Sequence, residues 1–167
     1  MKEKIFIEQH VEKTCDLIIQ HIKNIITFQE NINKPLGGHS RFMERLLHPE
    51  EVLVFRGTSK LLYENKDLAR RKEHIVPMSY LLDQLWYLIL DNKYSDKELS
   101  SILKRNLGVA HITYEESLRL DTKKSGLKMK MPDNWRLGID DPLDRLKAVD
   151  IILLDEKKNE IKTLLNL

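Results

Sequence analysis

The sequence predicts an α+β fold, mainly helical, in a single domain with a few short strands and a C-terminal β-hairpin. Three observations predict it. Apolar residues recur every three or four positions from Ile7 to Ile32, the period of one helix face. Two capping boxes, Ser95-Asp96-Lys97-Glu98 and Thr113-Tyr114-Glu115-Glu116, each open a helix. Short β-branched runs, Ile75-Val76 before Pro77 and Val109 to Ile112 after Gly108, read as strands bounded by breakers.

Composition narrows the class. A chain of 167 residues with 41% hydrophobic and 32% charged residues is long enough for one domain with a core. The formal net charge is +2, so any affinity for polyanions must come from local clusters. Cys15 is the sole cysteine, which excludes an intrachain disulfide and a cysteine-rich zinc site. No signal-peptide core follows Lys2 and Lys4, and no apolar run approaches the roughly 20 residues that span a bilayer. The expected compartment is the cytoplasm.

Taken in order, the long helix (about 7–32) carries Val11, Cys15, Ile18, Ile19, Ile22, Ile25 and Ile26 on one stripe. That stripe needs a partner surface, in its own domain or in a second copy, so a homodimer through this helix is one expectation. His10 and His21 sit eleven apart, too far to share an ion, and read as solvated. Asn33 to Gly38 is a loop, and Ser40 is expected to cap a short helix through Leu47. His39 and His48 bracket that helix as loop histidines. Glu51 to Phe55 reads as a strand and Arg56 to Ser59 as a turn with a helix cap.

From Lys60 to Lys72 the chain carries five cations, ending in Arg70, Arg71 and Lys72. They are read either as phosphate contacts or as the solvated face of a connecting helix. Glu73 and His74 then end a short strand, since Pro77 cannot donate a ladder hydrogen bond and Met78 to Leu90 reads as a helix. A basic stretch, with Lys123, Lys124, Lys128 and Lys130 around Gly126, is expected to be extended, its lysines on one side. Trp135 is read as a surface aromatic for a partner or as a lid packed on the core, the latter slightly preferred. Asp141-Pro142 starts a helix. Asp150 to Leu154 and Glu160 to Leu165 are expected to pair as the hairpin.

The run Glu73-His74-Ile75-Val76-Pro77, followed by Met78-Ser79, resembles the first strand of HNH (ββα-metal) endonucleases: an acidic residue, a histidine, two apolar residues, a proline and often a serine. Val109 to Glu116 is similar to the strand, threonine and acidic helix that end some small members. Residues 51–121 thus stand as an HNH-like core, followed by the basic loop and hairpin of 122–167. The resemblance implies a divalent cation (Mg2+ or similar) held by Glu73, His74 as general base for water attacking a phosphodiester, and an Asn or His completing the site. Asn92, Asn106 and His111 are the candidates for that third position. Where some members carry histidines on the last helix, this chain has Ser117 and Asp121.

Two functions follow as expectations. The first is a metal-dependent endonuclease with Arg70, Arg71, Lys72, Lys123, Lys124, Lys128 and Lys130 as backbone contacts, on DNA rather than RNA. The second is a catalytically degenerate binding or inhibitory protein that contacts nucleic acid or a host protein. Adjacent strand residues point to opposite faces, so Glu73 and His74 can share a site only if the strand ends or kinks between them.

Overall fold

The computed structural model describes residues 2–166, of which helix is the dominant element. Half of the chain is helical and 11% is strand, the α+β class that the sequence predicts. Helix α1 (Lys2–Asn31) begins earlier than the apolar stripe does. It buries Val11, Cys15, Ile18, Ile19, Ile22 and Ile26 along α6 (Asp96–Asn106). Helices α2 (Arg41–Leu46) and α5 (Met78–Asp91) complete this helical core, to which Met131, Trp135 and Leu137 add their side chains. Burial pushes the Cys15 thiol up to about 12, so it serves as packing. Ile5, Phe6, Leu17 and Phe28 stay exposed on the other side of α1.

The sheet has strand order β2-β3-β1-β4. Its members are β1 (Phe55–Ser59), β2 (Arg70–His74), β3 (Val109–Thr113) and β4 (Leu153–Leu154). Strand β3 runs parallel to β1 and antiparallel to β2. Gly57 in β1 adopts φ 143°, and a Cβ there would lie 2.7 Å from the Leu154 carbonyl oxygen, so only glycine lets β4 approach. A second core, Ile75, Ala110, Ile112, Leu120, Leu127, Leu143 and Leu146 among others, fills the sheet face covered by α7 (Tyr114–Asp121) and α8 (Asp144–Lys147).

Both capping boxes form, with the Ser95 and Thr113 hydroxyls accepting from Glu98 and Glu116 and both carboxylates reaching back. Several expectations shift. Residues 50–53 form a helical turn, α3 (Glu50–Leu53), and the strand lies later, because Glu50 is fixed by side-chain contacts to β2. Ser40 precedes α2 without a side-chain cap bond. Helix α4 is only Lys60–Glu64, so Arg70 to Lys72 lie on a strand and not on a connecting helix. The hairpin shrinks to β4 and one bridge, Leu154 to Glu160, because Asp155 takes the backbone N–H groups of Lys157 and Asn159 into a tight turn.

Trp135 is 7% exposed and its indole N–H donates to the Asp141 carbonyl at 3.0 Å, which makes it the lid and not the surface platform. No helix among the described residues is long and apolar enough to cross a membrane.

Candidate functional site

Strand β2 is one of the two edges of the sheet, and its alternation sorts the residues of interest. Arg71 pairs with Ile112 and Glu73 with Ala110, so their side chains share the face of the second core. Arg70, Lys72 and His74 pair with Thr113, His111 and Val109 on the other face. The strand does not kink between Glu73 and His74. The two side chains therefore diverge, as a regular pleat requires.

On the core face, Glu73 meets Arg145. The guanidinium is 1% exposed, and its Nη2 donates to Glu73 Oε1 at 2.8 Å. Nε donates to the Leu127 carbonyl at 2.7 Å, Nη1 to the His74 carbonyl at 2.8 Å and Nη2 also to the Lys128 carbonyl at 3.2 Å. Burying a guanidinium is tolerable only when its donors are answered, and here four oxygens answer them.

On the opposite face, Glu50 of α3 is 5% exposed and both of its oxygens are engaged. Oε2 accepts from Lys72 Nζ at 2.7 Å, and Oε1 lies 2.8 Å from His74 Nε2. Burial alone would raise the Glu50 carboxyl, but the bonds from His74 and Lys72 outweigh it and hold the group below its ordinary range. An ionised carboxylate only accepts, so His74 Nε2 carries a hydrogen and donates. That nitrogen is then closed to a proton from water, and Nδ1 is the ring's remaining acceptor.

The candidates for the third position are scattered. Asn106 is 1% exposed and donates its amide to the Ile102 carbonyl of its own helix at 2.8 Å. Asn92 takes the left-handed turn, φ 53°, that ends α5. His111 lies opposite Lys72 with its ring centroid 4.8 Å from that of Phe55. Burial, helped by the charges of Arg70 and Lys72, lowers the His111 pKa, so its neutral form is favoured. Ser117 is buried and donates to the Tyr114 carbonyl, while exposed Asp121 faces Lys128 at 3.4 Å.

The donor set named for a divalent cation does not fit one. Glu73 is taken by a fixed cation, His74 faces away from it, and neither Asn106 nor His111 has a hydrogen bond to Glu73 among the described residues. Among the described residues no group of three or more His, Cys, Asp or Glu side chains could hold a metal ion.

The basic residues lie in two exposed stretches. Arg70, Arg71 and Lys72 are exposed along β2, and Lys123, Lys124, Lys128 and Lys130 are exposed in the loop after α7. Arg71 lies 5.6 Å over the Tyr114 ring at the start of α7. Lys72 is paired to Glu50 and Glu51, and Lys128 and Lys130 have looser acidic neighbours at 3.4 and 3.7 Å. Arg70, Arg71, Lys123 and Lys124 have no ion pair among the described residues. The bonds from Arg145 to Leu127 and Lys128 draw the loop to the same end of β2 as Glu73 and His74. In the loop Leu127 and Met131 are buried, but Met129 is 60% exposed, so the apolar side of this stretch is incomplete.

Glu50 and Arg145 are the organising residues that sequence reasoning missed. Neither carries a motif: Glu50 sits among acids and Arg145 in a four-residue helix of mixed polarity. Comparison of the chain with family models, curated proteins and solved structures finds no match.

Proposed function

We propose that this chain is a non-catalytic binding protein that holds nucleic acid by its phosphate backbone. The observation that carries this reading is the division of Glu73 and His74 between two separate pairs, Glu73 with Arg145 and His74 with Glu50, on opposite faces of β2. Hydrolysis by an activated water needs a free base and a cation-binding group at one place. Here the two groups lie on opposite faces of β2, Glu73 against Arg145 and His74 against Glu50, so they do not act at one place.

The order β2, β3, α7, an antiparallel pair followed by a helix, is compatible with the HNH resemblance, with α5 and α6 inserted between the strands. A scaffold of that kind whose ligand positions are filled from within supports docking without cleavage. The unpaired Arg70, Arg71, Lys123 and Lys124 supply the phosphate contacts, and DNA is the partner to test first.

The test is anisotropy of a short fluorescein-labelled DNA duplex across a salt series. Wild type should bind with a steep salt dependence, and Arg70→Ala combined with Arg71→Ala should flatten the slope of log K against log salt by about 0.9 for each phosphate left without its cation. DNA should stay uncut in Mg2+ or Mn2+. Cleavage that disappears in His74→Ala would replace this reading with the nuclease.

A further inference from the structure

Arg145 does more than neutralise Glu73. Its donors collect one carboxylate oxygen and three backbone carbonyl oxygens from two separate segments, residues 73–74 of β2 and residues 127–128 of the loop. Carboxylate and carbonyl oxygens converging on a centre are the donor type that hard cations favour. Here the centre is a side chain of the protein itself, planar and permanently charged.

We propose that Arg145 is a built-in cation that positions the basic loop 122–130 beside β2, so that the two groups of phosphate-binding side chains form one surface without a divalent ion. The nucleic-acid part of this statement rests on the reading above; the clamp itself does not. Arg145 is buried and makes no hydrogen bond to the side chains of Arg70, Arg71, Lys123 or Lys124, and it acts on the loop through the Leu127 and Lys128 carbonyls. Those two peptide carbonyls and the C-terminal end of β2 are left without their shared partner when the guanidinium is removed. The loop then keeps its local turn bonds, among them Ser125 Oγ donating to the Leu120 carbonyl, its apolar anchors Leu127 and Met131, and the looser Lys128–Asp121 and Lys130–Asp133 pairs. The exposed cations are unchanged in number, but their spacing relative to Arg70 and Arg71 is no longer set.

The experiment uses the full chain with Arg145→Ala and follows tryptic nicking after Lys123, Lys124, Lys128 and Lys130, with Lys157 in the β4 turn as the internal reference. Loss of the clamp should speed loop nicking about tenfold while the Lys157 rate holds, the signature of local opening. Guanidinium chloride at about 10 mM should slow it again by refilling the cage, and NaCl at the same concentration should not. In wild type, EDTA should leave the nicking pattern unchanged. A wild-type loop rate in Arg145→Ala, equal rescue by NaCl, or faster loop nicking of wild type in EDTA would each overturn the proposal.

If Arg145→Ala stays unfolded even with guanidinium present, Arg145→Lys decides. It keeps the charge but cannot reach four oxygens, so faster loop nicking supports the clamp and a wild-type rate rejects it. The DNA titration separates the two ideas: Arg145→Lys should weaken binding about tenfold although no exposed cation has been removed. Selective loop opening in a protein that never binds DNA would leave the clamp standing and remove the nucleic-acid reading instead.

Discussion

The two faces of β2 hold charge in different ways. Toward the second core, Glu73 meets a guanidinium that is 1% exposed and bonded at every side. Toward α3, Glu50 is the buried member, and its partners Lys72 and His74 keep 39% and 25% of their side chains in solvent. The same strand thus sends a carboxylate inward to a buried cation on one side, and two cationic or imidazole groups inward to a buried carboxylate on the other. The lesson is that burial of one partner sets the energetic scale, because only the buried partner is stranded when its mate is removed.

That difference orders three perturbations. Arg145→Met should be the most damaging, lowering the unfolding free energy in urea by about 3–5 kcal/mol, since it leaves Glu73 and three carbonyls unanswered. Combining it with Glu73→Leu should recover part of the loss, and strict additivity of the two would deny the coupling. Glu50→Gln should come next at about 1–3 kcal/mol, because the amide keeps the shape but not the charge.

The Glu50 change has a pH signature as well. The Glu50 carboxyl is held below its ordinary 4.5 in the fold, so its contribution is full above that value and is lost as pH falls through the lower folded value. His111 acts in the same direction: its folded pKa lies below the ordinary 6.5, so stability declines as pH drops beneath that point. Wild-type thermal midpoints should therefore fall on acidification, and Glu50→Gln should fall less steeply below about pH 5. Parallel curves would remove Glu50 from the account. Arg71→Ala should have the smallest effect, about 0.5–1 kcal/mol, since an exposed cation over the Tyr114 ring contributes little in water. A larger loss would mean that Arg71 is part of the core-side network.

What was legible in the sequence was local. The α1 stripe, the ends of α5 and α6 and both capping boxes are written in spacing and in short-range hydrogen bonds, and the structure has them. The divergence of Glu73 and His74 was also foreseeable from the pleat. The partners were not. Glu50 reaches His74 across 24 residues and Arg145 reaches Glu73 across 72, and no period in the chain encodes contacts at such separations. For the same reason the cations before Glu73 read as phosphate contacts or as the face of a connecting helix, until pairing with β3 put the last three on a strand. The strand expected at 51–55 was displaced because a buried carboxylate, not β-propensity, decided the local backbone.

Thr113 ends β3 and caps α7 with no residue between the two tasks. The Tyr114 N–H that follows still donates to the Ala69 carbonyl at 2.8 Å, so the ladder and the first helical turn are stitched through consecutive atoms. A slip of one position between β2 and β3 would turn every side chain over and at the same moment break the Tyr114 N–H bond to the Ala69 carbonyl, while the local Thr113–Glu116 cap would survive. The first residue of the helix thereby carries the pairing of the sheet edge one step past the end of the strand.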